Sequence, residues 1–129
     1  KLLILITSGI LSFMIFFPTV VATSVFKVLD EVQSSKFLRI FFPKYYFFGS
    51  TMSGLGIGAS IIDNNVLALS VFIFLITTFL FSRQILTPII NKVKDEQNEE
   101  KFKKLHRFSV IINFIQMIFC IGLLVNLLR

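Results

Sequence analysis

Apolar residues run almost unbroken through four stretches of this chain, near 2–26, 41–62, 66–90 and 108–128. Short polar segments separate them. A helix rises 1.5 Å per residue, so about 20 apolar residues cross the roughly 30 Å hydrocarbon core of a bilayer. Each stretch meets that length, and none carries a central acidic residue. Arg83 lies near the end of the third, where a long side chain reaches the headgroups. The pattern predicts an all-α membrane protein: one domain over 1–129, with four transmembrane helices in an up-down bundle and both termini on the same side.

The first stretch also has features of a secretory signal, since Lys1 precedes an apolar run and VVATS resembles a cleavage region. Its apolar length exceeds the usual 7–15-residue signal core, so a span is expected. The sequence opens on Lys1 rather than Met, which leaves room for residues ahead of it.

Composition agrees with a lipid solvent. The chain is 55% hydrophobic and 16% charged, with a mean hydropathy of +0.85. Soluble domains average about 25% charged residues, and a core this small could not cover so much apolar surface. The single cysteine, Cys120, excludes an internal disulfide.

The formal net charge of +6 is distributed unevenly. Lys27, Lys36, Arg39 and Lys44 lie in the connection 27–44, and Lys92, Lys94, Lys101, Lys103, Lys104 and Arg107 in the connection 91–107. The other side holds Lys1, Arg129 and the tight Asp63-Asn64-Asn65 turn. The positive-inside rule then predicts cytoplasmic connections and external termini, in a bacterial inner membrane or, for a eukaryotic chain, an organelle membrane. Basic residues so close to the bilayer also suit anionic headgroups, so nucleic acid is not needed to explain the charge. Glu99–Lys103 and Glu100–Lys104 are spaced i,i+4, which predicts a short solvated helix within 91–107; a docking surface for a cytoplasmic partner is the alternative.

Gly54, Gly56 and Ala59 match the G-x-G-x-x-G/A spacing of a dinucleotide-binding turn. That fingerprint follows a strand and is answered by an acidic residue about 20 positions on. Phe74, Leu75, Ile76 and Thr77 occupy that place, so the reading fails. A lipid-embedded helix accounts for more. Pro43 suits a first turn, and Lys44, Tyr45 and Tyr46 then form an interfacial anchor. Gly49 with Ser53, Gly54 with Gly58, and Gly56 with Ser60 are each four apart, and small residues at that interval admit a neighbouring helix. That neighbour is either another span of this chain or a second protomer.

On the fourth span His106, Ser109, Asn113, Gln116 and Cys120 recur at intervals of three and four, on one helix face. Asn113 and Gln116 are expected to hydrogen-bond across helices, to Thr77 and Thr78 or to Ser8 and Ser12. Arg83, Thr87 and Asn91 form a second file on the third span. The two files could meet around His106 as a polar cavity for an anionic or proton-donating ligand. The competing reading is structural: polar glue, a snorkelling Arg and an interfacial His. Cys120 reads as a packing residue.

The runs FFPTVVATSVFKVL, FFPKYYFFG, LTPIIN and LHRFSVIIN occur in that order along the chain. Together they resemble the transmembrane protein 205-like domain family, small four-helix membrane proteins of unknown function. The resemblance covers nearly the whole chain. It implies four spans in a bundle, with Pro43, Tyr45, Tyr46, Thr87, Pro88, Asn91, His106, Arg107 and Asn113 as signature positions.

No Ser–His–Asp set, paired carboxylates or metal-ligand cluster is visible, so neither enzymatic activity nor a cofactor or metal is expected. The expected role is a non-enzymatic accessory or interaction subunit, contacting lipid and other membrane proteins or a second copy through the small-residue face. A small transporter or solute-binding protein is the alternative. A haem- or copper-linked oxidoreductase ranks third, because the only His lies at the membrane boundary.

Overall fold

Short polar side chains mark where the helices begin. In the computed structural model, which describes all of residues 1–129, the chain forms four helices. These are α1 (Leu2–Val28), α2 (Glu31–Ile62), α3 (Val66–Asp95) and α4 (Glu99–Leu128). Asp30 Oδ1 accepts from Gln33 N at 2.8 Å, Asn65 Oδ1 from Ala68 N at 3.0 Å, and Asn98 Oδ1 from Lys101 N at 3.2 Å. Each cap satisfies a backbone donor that the first turn leaves free. Asn64 (φ 51°) and Gln97 (φ 58°) adopt the left-handed conformation that reverses the chain at two of the three corners.

Three prolines lie inside helices. Proline lacks an N–H, and its ring crowds the carbonyl four residues back. At Pro18 and near Pro88 the helix widens into a single π-helical turn, Phe17–Val21 and Ser82–Leu86. Ala22 N then reaches Phe17 O, and Thr87 N reaches Ser82 O. Pro43 sits in unbroken α-helix.

Two expectations change here. The second helix starts at Glu31 rather than near 41, so Pro43 is an interior residue and not a first-turn one. The Asp30 cap is the reason. The connections 27–44 and 91–107 shrink accordingly, to Leu29-Asp30 and to Glu96-Gln97-Asn98. The polar segment after the third span is helical on both sides of that corner, as the i,i+4 charge spacing predicts; Lys104 and Glu100 pair at 3.7 Å.

Buried positions recur at alternating intervals of three and four: Leu3, Thr7, Ile10 and Met14 on α1, and Ala68, Phe72, Leu75, Phe79, Ser82 and Leu86 on α3. This near-3.5 repeat builds an antiparallel four-helix bundle. α2 packs along α3 and on α1, and α4 closes the ring between α1 and α3.

The interior is small and partly polar. Only 25 of 129 residues are buried, and Thr7, Ser34, Ser50, Ser53, Ser60, Ser82 and Gln116 are among them. The outside is oily: Leu5 is 68% exposed, Phe26 62% and Ile118 63%. Water would not tolerate apolar patches this extensive on a monomer, and a bilayer does. Three helices, α1, α3 and α4, are long and apolar enough to cross a membrane. The glycines and serines of α2 make it less apolar, and it lies alongside α3. All charged residues except Lys1, Asp63 and Arg129 gather toward one end of the bundle, called the basic end below.

Candidate functional site

The small-residue face of α2 is filled from within the chain. Gly49, Ser53, Gly56 and Ser60 point inward, and a Cβ on Gly49 would stand 2.8 Å from the Phe79 ring. The Phe72 ring covers Gly56 in the same way. Phe72 and Phe79, seven residues apart and both fully buried, are thus two knobs seated on two glycines. The neighbour left open by the sequence is therefore α3 of the same chain. Gly54 and Gly58 belong to a different stripe; Gly54 meets only Ile76 at 3.9 Å, and Gly58 has nothing within 4 Å. Ser53 and Ser60 return their hydroxyls to Gly49 O and Gly56 O, each at 2.7 Å, so their polarity is spent locally.

Pro43, Lys44, Tyr45 and Tyr46 do not form one interfacial anchor. Lys44 is exposed, whereas Tyr45 and Tyr46 are buried in an aromatic cluster with Phe13, Phe17, Phe41 and Phe42. Helical phase is the physical reason, since both rings share the inward face of α2 with Gly49 and Ser53.

Polar side chains on α4 form an inward line. Gln116 Nε2 donates to Thr78 Oγ1 at 2.6 Å, and Thr78 passes its own proton to Phe74 O at 2.9 Å. Gln116 Oε1 is buried without a partner. Ser109 Oγ and the Tyr46 hydroxyl lie 3.5 Å apart, with Asn113 within reach of the same hydroxyl. Cys120 is fully buried one turn beyond Gln116. Of the partners considered, Thr77 instead bonds Ile73 O, and Ser8 and Ser12 lie outside the buried face of α1, which presents Thr7.

His106 does not join this line. It is exposed and stacks on Phe102, with ring centroids 6.0 Å apart. Arg83 turns toward α2: Nε donates to Pro43 O at 3.0 Å, Nη1 to Gln84 at 2.7 Å, and the guanidinium stands 5.6 Å from the Phe47 ring centre. No hydrogen bond or ion pair links Arg83 to His106 or Asn113, so the expected cavity around these three is not assembled. Thr87 is half-buried, and Asn91 offers its carbonyl to Arg39 Nη2 at 3.2 Å.

Arg39 also clasps Asp95 through both guanidinium nitrogens, joining α2 to α3 at the basic end. This fork holds the Asp95 carboxyl below its ordinary value of 3.8, chiefly by hydrogen bonding, and raises the Arg39 pKa. The pair was not legible in sequence, because 56 positions separate its members. Beside it, Arg39, Ile40, Pro43, Lys44, Phe47, Phe48, Thr51 and Arg83 line an open groove of about 690 Å³. A second cleft, of about 380 Å³, opens between α3 and α4 at the opposite end, lined by Leu67, Val71, Ile118, Phe119 and Gly122 among others. No group of three His, Cys, Asp or Glu side chains is arranged to hold a metal ion.

Residues 5–99 match the family model described as a domain of unknown function, DUF4149. The match takes in α1, α2 and α3 and stops where α4 begins. No curated protein and no solved structure matches the chain.

Proposed function

Because the chain belongs to the DUF4149 family, whose activity is undefined, we propose from its own geometry that it is a non-enzymatic subunit of a membrane complex. The observation that carries this is uneven packing. The α2–α3 seam is closed by Phe72 and Phe79 on Gly56 and Gly49, while α3 and α4 part toward Arg129 and leave the apolar cleft. Gly122, on the wall of that cleft, has nothing within 4 Å of where a Cβ would stand. In lipid, helices associate by close contact at such small residues. A transmembrane helix of a partner subunit is the occupant proposed.

The ordered motifs support a resemblance to the transmembrane protein 205-like domain family. The charge distribution supports a cytoplasmic basic end, with Asp63 and both termini of the described chain on the other face. The transporter reading loses its support, since Arg83, His106 and Asn113 do not converge.

The test is a blue-native gel after mild detergent extraction of the native membrane, for the wild-type chain and Gly122→Leu. The wild type is expected to migrate in a larger assembly and the variant to be released from it. Release leaving the variant folded supports the proposal; a wild-type monomer contradicts it.

A further inference from the structure

Lys44 and Arg83 bracket the hydrocarbon boundary. Lys44 is the last charge on α2 before 18 uncharged residues lead to Asp63, and Arg83 is the first charge on α3 after the same turn. At 1.5 Å per residue the uncharged stretch is about 27 Å long, close to the apolar thickness of a bilayer. The bond from Arg83 Nε to Pro43 O sets the two cations at one level on neighbouring helices. Both border the groove, and neither has a carboxylate partner: the ion pairs present are Arg39–Asp95 and Lys104–Glu100. Arg83 spends Nε and Nη1 on the protein and leaves Nη2 without a protein partner.

The walls of the groove change character along α2. Toward the basic end they are cationic, with Arg39 neutralised by Asp95 and Lys44 and Arg83 left uncompensated. Away from it they become Phe47, 60% exposed, and Phe48, 50% exposed, on the outer surface of the bundle. A guanidinium and an ammonium at headgroup depth, above an aromatic track running into the membrane, match an ionic head joined to an apolar tail.

We propose that this groove between α2 and α3 binds an anionic phospholipid, its phosphate held by Lys44 and Arg83 and an acyl chain laid along Phe47, Phe48 and Thr51. Guanidinium and ammonium groups are the usual partners of phosphate, and both bonds are charge-assisted. The amphiphilic lining favours a lipid over a free anion, because inorganic phosphate would gain nothing from the aromatic track.

Native mass spectrometry of the detergent-purified full chain, titrated with phosphatidylglycerol or phosphatidylcholine, tests this. Both lipids offer the same phosphate, but the choline cation of phosphatidylcholine is repelled by Lys44 and Arg83, so phosphatidylglycerol is expected to bind about tenfold more tightly. Lys44→Gln should remove most of that preference. Arg83→Lys, which keeps the charge but cannot hold Pro43 O and the phosphate through separate nitrogens, should lower it several-fold while the helical circular dichroism is unchanged. Lys101→Gln with Lys103→Gln, a larger charge loss at the same end, should leave it intact. An equal loss in the Lys101/Lys103 variant overturns the site in favour of diffuse attraction. Displacement of phosphatidylglycerol by millimolar inorganic phosphate overturns the lipid in favour of a soluble anion.

Discussion

The Phe79 ring lies so close to the backbone of Gly49 that a Cβ there would stand 2.8 Å from it. Seven residues earlier on α3, Phe72 makes the equivalent approach to Gly56. Without water to drive helices together, this fit and the hydrogen bonds across the bundle are what hold α2 to α3.

Gly49→Ala is therefore expected to destabilise the protein by about 1–3 kcal/mol through overpacking, and Gly56→Ala likewise. Gly58→Ala adds its methyl to open space and should be neutral or stabilising by up to about 1 kcal/mol, the helix-propensity gain. Thermal unfolding in detergent, followed by far-ultraviolet circular dichroism, distinguishes these variants. Phe72→Leu should rescue Gly56→Ala in part, and a simple sum of the two losses would show that the residues do not interact.

The Gln116–Thr78 bond supplies a second expectation. Thr78→Val removes the acceptor and leaves the Gln116 amide wholly unsatisfied, at a cost of about 1–3 kcal/mol. Gln116→Leu also removes the unpartnered Oε1, so its cost should be smaller. A double-mutant cycle should give a coupling of about 0.6–2 kcal/mol, and zero coupling would separate the two side chains.

The Arg39–Asp95 fork carries a pH dependence. The folded carboxylate titrates below its unfolded counterpart, so its contribution is complete above the ordinary value of 3.8 and is lost as pH falls through the lower, folded pKa. Raising the Arg39 pKa has no consequence near neutrality. The melting temperature of the wild type should drop in that acid window more than that of Asp95→Asn. Parallel acid profiles would count against the pair.

Cys120 is fully buried and is the single cysteine. A maleimide reagent should leave the native protein unmodified over hours and react promptly once dodecyl sulfate unfolds it. Rapid labelling of the folded protein would mean that α4 does not pack as described.

Apolar length made the helices legible, and α1 and α3 begin where expected, whereas α4 starts at Glu99 rather than near 108 because Asn98 caps it. The start of α2 was missed because residues 31–40 carry no apolar periodicity; the signal that could have found it is Asp30 followed by Gln33, a capping pattern. Tyr45 and Tyr46, expected as interfacial anchors, instead share the inward face with Gly49. Spacing alone could not tell the Gly49–Gly56 stripe from the Gly54–Gly58 one, since both contain small residues four apart and only the Phe72 and Phe79 rings distinguish them. The polar file on α4 breaks at His106, which lies on the polar first turns of α4 beside Lys103, Lys104 and Arg107, where it is exposed and stacks on Phe102. Arg39 and Asp95, on different helices, had no sequence signal at all.

The central claim is that hydrocarbon surrounds this bundle and that its two ends lie in different aqueous compartments. Asp63→Cys and Glu96→Cys, each made in a Cys120→Ala background, place one thiol at each end. Labelled with a membrane-impermeant maleimide in sealed, oriented vesicles, the two should react from opposite sides. Reaction of both from the same side, or recovery of the chain in the supernatant without detergent, contradicts the account.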